Sequence, residues 1–208
     1  MKYVFRAVSA ILALCVLPAA YFLSFIQFVF SAVIANIGDD FSIKEIFEQF
    51  FDKSSPLYGL LDNSSQLLAN ASVKVLMPAG ITFLSFFALA LVVSFVIFFF
   101  ALFSNKRLVI TGLGGVGFLS VIGMYIAFGR FATPLLDGTI QVNDFLNVGT
   151  LGFLINSVVK IELFKLTSAP LIMAVIFALI VIWGLAFIIT EDESEKKQRR
   201  LEKAAKKQ

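Results

Sequence analysis

Four stretches of this chain contain no Asp, Glu, Lys or Arg: Ala7–Gly38, Val75–Asn105, Leu108–Gly129 and Leu166–Thr190. They are 22 to 32 residues long and make up just over half of the 208-residue chain. A helix needs about 20 apolar residues to cross the hydrocarbon layer, so each stretch is long enough to span a membrane once. Composition agrees. Of all residues 59% are apolar and 15% charged, against about 45–50% and about 25% in soluble domains.

The sequence therefore predicts an all-α integral membrane protein, a four-transmembrane-helix bundle with two structured extracytoplasmic loops. The spans are expected at about 7–36, 76–104, 108–129 and 167–190, and the outer loops at about 37–75 and 130–166. Residues 1–190 form one domain in this reading, and 191–208 a charged tail. Lys2 and Arg6 before an apolar run resemble the start of a signal peptide. A signal core is only about 7–15 residues long, so an uncleaved first helix is expected instead. Pro18 should kink that helix or free a carbonyl for a neighbour to satisfy. The 32 uncharged residues of the first stretch exceed what the bilayer needs. Their outer end is expected to rise above it and pack with the loops.

Charge orients the chain. The side holding the N-terminus, the Lys106-Arg107 turn and the tail carries eleven bases and five acids, whereas the other side carries six bases and nine acids. Lys and Arg collect on the cytoplasmic face, so both termini are expected in the cytoplasm, in a plasma or inner membrane. The net charge of +3 conceals this asymmetry. The basic tail from Lys196 to Lys207 is mixed with Glu202 and has no aromatic residue for base stacking. It reads as a solvated helix near anionic headgroups, not as a nucleic-acid site.

The first outer loop has the best-defined local signal. Ser42 and Glu45 form an S-x-x-E capping box, with Phe41 and Ile46 at the hydrophobic-staple positions. Ile43, Ile46, Phe47, Phe50 and Phe51 follow at helical spacing, opposite Lys44, Glu45, Glu48, Gln49, Asp52 and Lys53. An amphipathic helix over about 42–53 is expected. With three acids and two bases it is too acidic for an ordinary interfacial helix. Packing on the protein's own loops is therefore expected first and contact with a partner second, and the five apolar residues are the candidate interaction surface. Ser55-Pro56 offers a second helix start leading through Leu57, Leu60 and Leu61. In the second loop a short helix over about 143–158 is expected. A small hairpin is the alternative, because Thr139–Val142 and Val159–Leu163 alternate. Asp137-Gly138 marks a turn.

Chemistry is sparse. There is no histidine, hence no imidazole base or ligand. Cys15 is the only cysteine, so no intrachain disulfide is available. Gly112, Gly114 and Gly117 satisfy G-x-G-x-x-G, but they lie inside an uncharged span with no acid before Asp137. A dinucleotide site needs such an acid about 20 residues on. Thr111/Gly115 and Gly123/Ala127 are instead small-xxx-small pairs, candidates for close helix packing. Gln27, deep in a Phe-rich stretch, is the candidate intramembrane polar group, either bonding between helices or lining a pore. None of the four spans holds an ionisable group of the kind that proton-coupled carriers use. No catalytic, cofactor or metal residue is assigned. Asn63-Ser64-Ser65 and Asn70-Ala71-Ser72 match the glycosylation pattern.

Four spans, a short inner turn and two larger outer loops resemble, in layout, tetraspan proteins such as claudins and tetraspanins. The chain lacks the paired outer-loop cysteines and Gly-Leu-Trp motif of the first and the Cys-Cys-Gly motif of the second, so no functional residue carries over. The expected function is a non-enzymatic tetraspan protein that organises, assembles or modulates a membrane-protein partner, or a second copy, through its outer loops. The alternatives are a small pore or transporter subunit and a lipid-active membrane enzyme. The bilayer is an expected partner, nucleic acid is not, and no cofactor is called for.

Overall fold

The structure, a computed structural model, describes residues 2–32, 36–54, 58, 71–104, 106–140 and 159–205. In chain order these form α1 (Lys2–Phe22), β1 (Ser24–Ala32), β2 (Asn36–Ser42), α2 (Ile43–Phe51), α3 (Ala71–Phe103), α4 (Arg107–Leu136), β3 (Val159–Leu166) and α5 (Ser168–Ala205). Helices α1, α3, α4 and α5 are long and apolar enough to cross a membrane. Their outward faces are also apolar. Ile11, Leu84, Val92, Phe99, Leu119, Leu171 and Ile182 are all exposed, a surface that suits hydrocarbon and not water. The expected second helix start at 55–61, both glycosylation patterns and the expected helix at 143–158 fall at least partly outside the described residues.

The largest departure from the sequence reading is in the first stretch. The helix ends at Phe22 and not near residue 36, and the next residues form β1, the central strand of an antiparallel sheet ordered β2-β1-β3. The fold is mostly helical, with this small sheet added to the expected helices. At 1.5 Å per residue, 21 helical residues already cover about 30 Å, the thickness of the hydrocarbon layer. Beyond that depth Ser24–Ala32 is rich in Phe, Ile and Val, residues that suit a pleated, half-buried surface. A continuous apolar run does not distinguish helix from strand by its period. The excess length lies beyond the helix as a strand. The alternation at 159–163 belongs to β3, which pairs with β1 across the two loops. The other arm of the expected hairpin, Thr139–Val142, lies partly outside the described residues.

Only Leu23 separates α1 from β1, and only Thr167 separates β3 from α5. The β1–β3 pair thus continues the neighbouring helices α1 and α5. The Thr167 amide donates to the Phe25 carbonyl at 3.1 Å, and the Ser168 hydroxyl donates to the Ser24 carbonyl at 3.3 Å, sealing the junction. Aromatic rings hold the sheet on the bundle. Phe25, fully buried, meets Phe87 and Phe83 of α3 at 5.0 and 6.1 Å between centroids. Phe164 of β3 meets Phe128 and Phe131 of α4 at 4.8 and 6.0 Å. Phe83 and Phe128, 5.6 Å apart, join the two groups. Tilted and edge-on pairs of this kind add about 0.5–1.5 kcal/mol each beyond area burial.

In the bundle α1 lies against α3 and α5, and α4 packs against both of those. The axis is filled by Ala13, Val16, Ile97, Val121, Met124, Met173, Phe177 and Ile180. Close approach of α4 and α5 depends on missing side chains. A Cβ at Gly117 would meet the Phe177 ring, one at Gly114 would lie 2.9 Å from Ile180 Cγ2, and one at Gly184 would meet Thr111. Between α1 and α3, the buried Ser94 hydroxyl donates to the Ala13 carbonyl at 2.6 Å. That acceptor lies one residue before Leu14, whose carbonyl loses its helical donor at Pro18.

Helix α4 continues to Leu136, through Arg130, where the sequence reading starts a loop. It ends at Asp137, followed by Gly138 with φ +75°, a left-handed conformation in which glycine carries no Cβ penalty. The tail continues α5 as helix to Ala205.

Gly117→Val should lower stability by about 1–3 kcal/mol through overpacking against Phe177. A Cβ at Gly112 or Gly115 would have nothing within 4 Å, so Ala at either should be neutral or slightly stabilising. Thermal unfolding in mild detergent checks this. Equal losses at 115 and 117 would contradict the packing.

Candidate functional site

The sheet end of the bundle carries the chain's most specific surface. Its organiser is the cap of α2. The Ser42 hydroxyl accepts the Glu45 amide at 3.2 Å, and the Glu45 carboxylate accepts the Ser42 amide at 2.7 Å and the Ser42 hydroxyl at 2.8 Å. This is the reciprocal capping box expected from sequence. Two hydrogen bonds from Ser42 hold the Glu45 carboxyl below its usual pKa. At the far end, Asp52 accepts the amide and hydroxyl of Ser54, which lower its pKa as well. The Lys44–Glu48 ion pair at 3.6 Å is solvent-exposed and contributes little.

Helix α2 contacts β2 and the end of α1. The five apolar candidates therefore divide. Ile43 is half-buried against the core, Ile46 and Phe50 are half-buried, and Phe47 and Phe51 face outward at 53% and 80% exposure. Their rings stack 6.5 Å apart. With Tyr21 from the last turn of α1 they line an open groove of about 670 Å³, edged by Glu48 and Asp52. The two outward Phe are not core residues displaced to the surface. They form an apolar strip with an acidic rim.

The other sequence candidates do not gather at one place. Gln27 is not in a membrane-spanning helix. It lies in β1, between Asp40 of β2 and Lys165 of β3, both exposed. The amide expected to bond between helices or, alternatively, to line a pore is thus a half-buried sheet residue. Of the packing candidates, Thr111 meets Gly184 of α5, Gly123 accepts the Phe86 ring of α3, and Ala127 is buried. A Cβ at Gly115 would meet nothing within 4 Å. Thr111 thus faces α5, whereas Gly123 and Ala127 both line a cleft between α3 and α4. The face that packs on α5 includes Thr111, Gly114 and Gly117 instead, reading i, i+3, i+6.

At the opposite end the structure uses charge in a way that sequence counting missed. The Arg6 Nε donates to the Ala101 carbonyl at 2.7 Å, satisfying an end carbonyl of α3. Arg107, counted among the bases of the short inner turn in the sequence reading, is only 8% exposed. Its guanidinium sits 5.8 Å from the Phe5 ring centre and 5.6 Å from that of Phe187, a cation–π clamp joining α1, α4 and α5. A basic turn gives no hint of the rings that other helices bring to it.

No family model, curated protein or solved structure matches the chain. The reading of this surface rests on its chemistry alone. Among the described residues, no group of three His, Cys, Asp or Glu is placed to hold a metal ion.

The cap has a pH signature. Glu45 has a depressed folded-state pKa, so its contribution is present above the ordinary value of 4.5 and is lost as pH falls through the lower folded value. Amide shifts of Ser42 and Glu45, followed by NMR in micelles, should titrate with a midpoint below 4.5. Ser42→Ala should move that midpoint upward and cost about 1 kcal/mol. A midpoint at or above 4.5 in the unsubstituted chain would rule out the reciprocal cap.

Proposed function

We propose that this chain is a non-enzymatic four-span membrane protein that organises a membrane-protein partner, or a second copy of itself, through the sheet side of its bundle. The observation that carries the reading is the outward pair Phe47 and Phe51. They are presented on a capped, anchored helix beside Tyr21 and rimmed by Glu48 and Asp52. Helix α2 gives up exposure of Ile43 to the core but keeps two large aromatic rings outside it. Buried aromatic anchors dominate binding energy at protein interfaces, and the acidic rim favours a partner segment bearing apolar and basic residues.

The charge balance orients this surface outward, with both termini in the cytoplasm of a plasma or inner membrane. A pore reading draws no support from Gln27, which is in the sheet, nor from the glycines of α4, three of which serve helix packing. The bundle axis is occupied by apolar side chains.

Photocrosslinking in native membranes tests the proposal. A benzoylphenylalanine at position 51 should give a discrete protein adduct, whose mass distinguishes a second copy from another partner. The same probe at Ile182, exposed on the side of α5, should not. Phe47→Ser combined with Glu48→Lys should abolish an adduct formed from position 51 while leaving thermal unfolding nearly unchanged. Identical patterns from 51 and 182 would defeat the proposal.

A further inference from the structure

The flank of the bundle between α3 and α4 opens at its sheet end into a cleft of about 450 Å³. Val75, Pro78, Ala79 and Thr82 form one wall, and Ile126, Arg130 and Pro134 the other. The floor lies where the Phe86 ring rests on Gly123, beside the buried Ala127. Apart from Arg130 and the Thr82 hydroxyl, these lining side chains carry no polar group. The Thr82 hydroxyl already donates to the Pro78 carbonyl at 2.7 Å.

Arg130 is exposed, and among the described residues it makes no ion pair. Helix α4 has 30 residues, which at 1.5 Å per residue is about 45 Å, and Arg130 lies about 9 Å from its sheet-side end. With the helix centred on a hydrocarbon layer of about 30 Å, that places Arg130 at the headgroup boundary and Gly123 below it. Lys74, also exposed and without an ion pair among the described residues, adjoins Val75 at the same end of α3. The cleft is thus apolar where acyl chains run and cationic where phosphates lie.

We propose that this cleft is a binding site for one anionic glycerophospholipid of the sheet-side leaflet. Its phosphate meets Arg130, and an acyl chain lies along Phe86, Gly123 and Ile126. A guanidinium donates paired hydrogen bonds to a phosphate, and a lipid chain fills an apolar cleft that no side chain of the described residues fills.

Native mass spectrometry of the full chain in mild detergent, with added phosphatidylglycerol or phosphatidylcholine, tests the assignment. One phosphatidylglycerol should be retained at least about fivefold more strongly than phosphatidylcholine, a difference of about 1 kcal/mol. Arg130→Gln should remove that preference, whereas Lys106→Gln at the opposite end should keep it. Thr82→Trp, at an exposed lip, should reduce retention of both lipids. Equal retention by the unsubstituted chain, an undiminished preference in Arg130→Gln, or unchanged retention in Thr82→Trp would each overturn the proposal.

Discussion

The structure depends on the pairing of β1 with β3. Where a helix ends, the backbone amides and carbonyls that follow lose their intrahelical partners and are paired elsewhere or by water. At the end of α1 those partners come from the strand that leads into α5. Because each strand is joined to its helix through a single residue, the ladder fixes how the neighbouring ends of α1 and α5 meet. The sheet then provides β2 with an edge, β2 ends at Ser42, and Ser42 caps α2. The placement of Phe47 and Phe51 is therefore a consequence of backbone pairing some distance away.

Phenylalanine supplies most of the specificity that polar groups would supply in a soluble protein. With 25 of them in the chain, rings fill three distinct tasks. Phe25 and Phe164 lock the sheet to α3 and α4. Phe86 and Phe177 rest on glycines, so that α4 sits close to both neighbours. Phe5 and Phe187 enclose the Arg107 guanidinium at the other end. Inside a membrane the hydrophobic effect does not favour helix association, and packing shape does that work instead. Gly114 and Gly117 matter for the same reason: each leaves the space that a large neighbouring side chain occupies.

Much of this was legible in the sequence. The four charge-free stretches marked the four apolar helices, and Ser42 with Glu45 marked the start of α2. Two things were not legible. An apolar run such as Ser24–Ala32 has no period that separates strand from helix, and its partner lies more than 120 residues away in β3. Gln27 was misread for that reason. Small-residue spacing likewise showed that α4 packs closely, but not which residue meets which helix. Gly115 fits the pattern, yet a Cβ there would meet nothing within 4 Å, whereas Gly117 fits it less well and a Cβ there would meet the Phe177 ring. Arg107 illustrates the same limit for charge, since its aromatic neighbours come from two distant helices.

The proposed partner surface rests on the sheet that joins the two loops, so its register is the decisive quantity. Gln27 lies opposite Lys165 in the β1–β3 pair. In a Cys15→Ala background, Gln27→Cys with Lys165→Cys should crosslink rapidly with a short bifunctional thiol reagent. Gln27→Cys with Ile161→Cys should not, because Ile161 pairs with Phe30 further along the strand. The predicted result is a fast-migrating species from the first pair alone. No crosslink from the first pair, or equal crosslinking from both, would contradict the strand pairing on which the account depends.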